Sequence, residues 1–148
     1  MERVDADVVR ASIEAFNSRD IAALLERIDP DVEWVPLRAV LEGDVYRGHD
    51  GIRRFVADCD DDLEGMHVRM EDAIQVGDFV VVNGAIEGRG RGSGNELDLT
   101  LAWLMHVTDG RVDYLRAYTD RAEAMREADA ANRGVKTAFG PPTRALDS

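Results

Sequence analysis

Hydrophobic positions in the first third of the chain recur at helical spacing. Val4, Val8, Ser12, Ala15 and Phe16, with Ile13 beside them, accompany Asp5, a residue type suited to a helix N-cap. The spacing predicts an amphipathic helix, interrupted by Asn17-Ser18-Arg19-Asp20. Ile21, Leu24, Leu25 and Ile28 then fall at i, i+3, i+4 and i+7, which predicts a short second helix ending before Pro30. Val32 to Val35 reads as a short strand stopped by Pro36. Leu37 to Gly48 has no clean period and reads as a long loop of the sort that borders binding sites. A third helix is expected from about His49-Asp50, His49 being read as a capping residue, with Ile52, Phe55, Val56 and Cys59 on one face. The run Asp58-Cys59-Asp60-Asp61-Asp62 reads as its solvated end.

From Met66 the period changes to two. Met66, Val68, Met70, Ile74 and Val76 alternate with polar residues, Gly77-Asp78 turns, and Phe79 to Glu87 returns as a strand. The glycine-rich stretch Gly88 to Asn95 is expected as a mobile hairpin turn. It lacks the Gly-Lys-Ser/Thr ending of a phosphate loop and leads into a strand rather than a helix. Leu97, Leu99, Leu101, Trp103, Met105 and Val107 share one side of the next strand, and Asp109-Gly110 turns into Val112 to Tyr118. A closing helix is expected over Arg121 to Ala130. Four consecutive strands make a meander, and helices segregated from such a sheet indicate an α+β fold. The expected organisation is one domain over residues 1–131 and a flexible C-terminal arm over 132–148, where Gly134, Gly140, Pro141 and Pro142 accompany a weak apolar pattern.

Composition narrows the partners. A chain of 148 residues that is 45% hydrophobic supports one core. Thirty acidic residues against 18 basic ones give a net charge of −12, which opposes a nonspecific grip on phosphate backbones, so no nucleic-acid partner is expected. No apolar run approaches the roughly 20 residues that cross a bilayer. A cytoplasmic protein without a membrane partner is expected. The single Cys59 and three scattered histidines provide neither a disulfide framework nor structural-zinc spacing, so no metal or other cofactor is expected.

Four stretches carry a family resemblance: Ala15-Phe16-Asn17-Ser18-Arg19-Asp20; Tyr46-Arg47-Gly48-His49-Asp50-Gly51-Ile52; Gly90-Arg91-Gly92-Ser93-Gly94; and Asp109-Gly110-Arg111-Val112 through Tyr118-Thr119-Asp120-Arg121. In this order, over roughly residues 5 to 130, the chain resembles the SnoaL-like family of the nuclear-transport-factor-2-like superfamily. The resemblance implies a cone-shaped, cystatin-like roll. Its strongly curved mixed or antiparallel sheet carries three to four helices on the concave side, with a ligand cavity between them. It also implies a homodimer, formed through the outer sheet face, and a small apolar molecule in the cavity. Relatives include cyclases, isomerases, dehydratases, epoxide hydrolases and noncatalytic modules, so the reaction is left open between cofactor-independent acid/base chemistry and simple binding or dimerisation.

The resemblance to polyketide cyclases implies an acid/base role for Asp120, two residues after Tyr118. Asp120-Arg121-Ala122-Glu123 also has the spacing of a helix N-cap with an acidic residue at N3. Period two puts Val112, Tyr114, Arg116, Tyr118 and Asp120 on one face, with Leu115 and Ala117 on the other. If the first face is the cavity, Arg116 and Tyr118 orient a ligand; otherwise they form an ion pair and core packing. Trp34, Tyr46 and Trp103 are the candidates for apolar ligand contact, with core packing as the alternative. His106 falls on the face opposite Trp103 and is read as structural. Ketosteroid isomerases carry a first-helix tyrosine and an aspartate after the first strand, where this chain has Phe16 and Trp34-Val35-Pro36-Leu37. Arg116, Asp120 and Asn83 do not fall at the spacing of the epoxide hydrolases' acid–arginine set.

Overall fold

The computed structural model describes residues 2–133. In chain order the elements are α1 (Glu2–Ser18), α2 (Ile21–Glu26), β1 (Ile28–Val35), α3 (Leu37–Glu42), β2 (Tyr46–Arg47), α4 (Gly48–Asp62), β3 (Leu63–Val76), β4 (Phe79–Gly90), β5 (Glu96–Thr108), β6 (Arg111–Tyr118) and α5 (Arg121–Asn132). The strands form one curved, open sheet in the order β2-β1-β6-β5-β4-β3. The four long strands are an antiparallel meander, as their period predicts. β1 joins it parallel to β6, and β2 pairs antiparallel with β1, which makes the sheet mixed. The architecture is the α+β roll expected from the resemblance.

Two cores flank the sheet. On one face α1, α2 and α4 bury Val9, Phe16, Leu24, Ile52 and Val56 against Val80, Val82, Leu101, Trp103 and Leu115. On the other, α3 and α5 bring Ala39, Ala124 and Ala128 onto Val81, Ala102, Leu104, Tyr114 and Tyr118. Alanine at the α5 contacts lets that helix lie close to the strands.

Several local expectations are corrected. α1 starts at Glu2, so Asp5 is inside the helix rather than its cap, and its carboxylate accepts from Gln75 Nε2 at 3.1 Å. Ile28 opens β1 rather than closing α2, because its backbone pairs with Val112. The expected loop from Leu37 to Gly48 contains α3 and β2; Pro36 ends the strand and stands at the N-cap of α3, which Gly43 ends at φ 81°. α4 begins at Gly48, and His49, in its first turn, donates from Nε2 to the Ile28 carbonyl at 2.8 Å instead of capping. The expected glycine-rich turn is shorter, since β4 runs to Gly90 and β5 starts at Glu96. The arm expected over 132–148 lies outside the described residues except for Asn132, the last residue of α5, and Arg133.

Bulges account for the errors of face. Between Met70 and Asp72 the β3–β4 register shifts by one. A one-residue shift sends every later side chain to the opposite face. Met66, Val68 and Met70 therefore join the helix-covered face, as does Ala73, while Ile74 is turned outward at 39% exposure and Val76 packs on the other core. The β5–β6 register shifts in the same way, from Val107↔Val112 to His106↔Tyr114. Beyond that point Leu115 and Ala117, rather than Arg116 and Tyr118, stand beside Met105 and Trp103.

Candidate functional site

Between α1, α2 and α4 and the sheet lies a cavity of ≈ 220 Å³. Its aromatic wall is organised on Phe55 of α4, whose ring centroid lies 5.8 Å from those of Phe16 and Trp34 and 5.4 Å from that of Tyr46. Met66, Leu99, Trp103, Met105 and Leu115 supply the sheet side. The β5–β6 bulge places Leu115 there.

Polarity gathers on one side. Tyr46, only 1% exposed, donates its phenol proton to Asp58 Oδ2 at 2.6 Å. Arg54 covers the Tyr46 ring with its guanidinium carbon 4.6 Å from the centroid. Burial first, and then the hydrogen bond to Asp58, push the Tyr46 phenol up to about 12, so it remains a donor at neutral pH. One turn after Asp58, Asp62 takes Arg38 Nη1 from α3 at 2.5 Å, and Glu42 lies 3.6 Å from Arg38 Nε. Arg38 is the one basic side chain among the described residues that line the cavity. Ser12 also lines it, but its hydroxyl donates to the Val8 carbonyl at 2.8 Å. The Cys59 thiol is pushed up to about 12 by burial, which keeps it protonated and a poor nucleophile.

Trp34, Tyr46 and Trp103 are therefore brought together on the cavity, and the other three candidates are placed elsewhere. Arg116 and Tyr118 border a second hollow of ≈ 210 Å³ between α3 and β6, with the Arg116 guanidinium carbon 5.8 Å from the Tyr118 ring centroid. The face expected to hold them against the cavity is the opposite one. Asp120 is exposed at the start of α5, where its Oδ1 accepts from the backbone N–H groups of Ala122 at 2.9 Å and Glu123 at 3.4 Å. Its carboxylate occupies the N-cap position and is not part of the cavity lining.

Sequence reasoning missed Arg38, Asp58 and Asp62. The expected loop concealed Arg38, and the acidic run passed as a solvated end. A signal was present for the acids: Phe55, Asp58, Cys59 and Asp62 continue the i, i+3, i+4, i+7 stripe of α4, so the buried face of that helix turns acidic as it reaches the rim.

The sequence pattern of the SnoaL-like domain family matches residues 9–115. The chain belongs to this family. A relative at 34% identity over 116 residues is an uncharacterised protein of Mycobacterium tuberculosis; the match covers 77% of this chain and 87% of that protein. Among solved structures, TerC, co-crystallised with polyporic acid, has a TM-score of 0.70 at 29% identity, covering 85% of this chain and 98% of TerC. An NTF2-like protein of unknown function from Burkholderia pseudomallei has a TM-score of 0.70 at 25% identity, covering 83% of this chain and 95% of its own. No described helix of the SnoaL-like chain is long and apolar enough to cross a membrane.

Proposed function

We propose that this SnoaL-like protein binds a small apolar, ring-bearing molecule in the cavity, held by Trp34, Tyr46, Phe55 and Trp103. The observation that carries this reading is the arrangement of the lining. Aromatic and aliphatic side chains surround ≈ 220 Å³, and polar side chains collect mainly along one side. Such a site takes an apolar body by burial and orients it through a few polar contacts. The co-crystallisation of TerC with polyporic acid supports the comparison. Thermal shift and tryptophan fluorescence across a panel of mono- and bicyclic compounds test the proposal, with Leu99→Trp filling the cavity as the control. A panel that shifts neither signal at millimolar concentration sinks it, as does undiminished binding by a folded Leu99→Trp protein.

A second reading, cofactor-independent acid/base chemistry on that ligand, is favoured by the Tyr46–Asp58 pair. The phenol remains a proton donor and holds one carboxylate oxygen of Asp58 at 2.6 Å, which sets a donor and an acceptor side by side on the cavity. Once a substrate is known, Asp58→Asn is expected to abolish turnover; undiminished turnover removes this reading and leaves binding. The homodimer implied by the family is proposed to use the outer face of β3 and β5, where Arg69, Glu71 and Asp98 stay exposed. Sedimentation velocity with charge reversal at Arg69 tests that surface.

A further inference from the structure

The polar atoms of the cavity are mostly committed within the protein. The Tyr46 O–H is directed to Asp58 Oδ2 and the Ser12 O–H to the Val8 carbonyl. Arg38 is engaged by Asp62 and Glu42, so the lining offers no unmatched positive charge. The exception is Asp58 Oδ1. It accepts from no described residue, and it is not among the buried side-chain atoms left without a partner, so it remains open to a ligand or to solvent.

We propose that the cavity selects a neutral ring compound carrying a hydroxyl group, which donates to Asp58 Oδ1. This deepens, and rests on, the reading of the cavity as a ligand site. An O–H···O⁻ bond is short and roughly twice as strong as a neutral one, and Tyr46 fixes the carboxylate that receives it. A ketone or ether offers only an acceptor to an acceptor, and a carboxylate brings a like charge with no cation to meet it. A plain hydrocarbon leaves Oδ1 facing an apolar surface, which costs the carboxylate its hydration.

Calorimetric titration of the full chain with β-naphthol, its methyl ether and β-naphthoic acid tests the inference. The wild-type protein is expected to bind β-naphthol at least tenfold more tightly than either of the others, about the size of one hydrogen bond to a charged group. In Asp58→Asn, Tyr46 donates to the amide oxygen and the amide N–H₂ turns to the ligand, so the preference for the hydroxyl over the ether falls to within about threefold. Equal wild-type affinity for naphthol and ether overturns the inference, as does an undiminished preference in Asp58→Asn, and both leave the cavity as a binding site. Failure of the wild type to bind any of the three overturns the inference and counts against the cavity reading as well. If Asp58→Asn does not fold, the wild-type ranking of the three compounds decides alone.

Discussion

His106 Nδ1 lies 2.7 Å from Asp113 Oδ1, across the hairpin at the position where β6 carries one residue more than β5. Thr108 Oγ1 donates to the other Asp113 oxygen at 3.0 Å, and both members of the pair are largely buried. The extra residue is thus pinned by its own side chain. Without the shift, continuing the Val107↔Val112 register would set Trp103 against Arg116 and turn a guanidinium toward the cavity. Asp113→Ala is expected to destabilise the fold by about 1–3 kcal/mol, the cost of leaving buried partners unsatisfied. Urea denaturation measures this, and an unchanged midpoint would show that the backbone alone sets the bulge.

Gly84 of β4 lies where a Cβ would stand 2.2 Å from the Arg69 carbonyl oxygen, beside the β3–β4 register shift between Met70 and Asp72. That neighbour is backbone and cannot rotate away. Gly84→Ala is expected to cost about 1–3 kcal/mol through overpacking. Thermal unfolding of the variant checks it; a wild-type melting temperature would contradict the close approach.

Asp120→Ala removes the α5 cap and is expected to cost about 0.5–2 kcal/mol. Binding of ring compounds in the cavity is expected to stay within twofold of wild type, because the carboxylate is outside the lining. Denaturation and calorimetry on one sample separate the two effects. A tenfold loss of affinity without loss of stability would return Asp120 to the ligand.

His67 contacts the Gly65 carbonyl at 3.0 Å through Nδ1 and Glu87 at 2.8 Å through Nε2, with Arg69 also on Glu87. The Gly65 carbonyl first, and then Glu87, raise its pKa above the ordinary histidine value. A raised folded-state pKa stabilises the fold fully below the unfolded value, near 6.5, and the contribution disappears as pH rises through the folded value. The half-exposed setting keeps it below about 1 kcal/mol. The stability difference between wild type and His67→Ala is expected to shrink from pH 6 to pH 8, and imidazole NMR titration to give a raised midpoint for His67. A difference that grows with pH would reverse the assignment.

Long periodic segments were legible in the sequence, because burial on one face forces a regular repeat. The meander, α1 and α4 all follow from that repeat. The bulges were not legible. Nothing in the Arg111 to Tyr118 segment marks Asp113 as an extra residue until His106 and Thr108 are seen opposite it, so strict alternation carried Arg116 and Tyr118 to the wrong face. α3 was hidden for a different reason: it has no side-chain cap, unlike the equally short α2 with Asp20, and its buried Ala39 is the weakest of apolar signals. The place of Asp58 on the buried stripe of α4 was legible but its partner was not, since Tyr46 lies 12 residues earlier on a separate strand.

The last turns of α4 bear three carboxylates on three different cations or donors: Asp58 on Tyr46, Asp60 on Arg19 at 2.7 Å, and Asp62 on Arg38. Each residue of a helix turns the next by about 100°. Inserting or deleting one residue upstream in α4 swings all three acids away from their partners at once, even though the helix itself accommodates the change. The length of α4 is therefore far less free to drift than its exposed composition suggests, and the Gly90 to Asn95 turn is tied to the same helix end, since Arg91 donates its backbone N–H to the Asp62 carbonyl at 3.3 Å and its side chain to the Asp60 carbonyl.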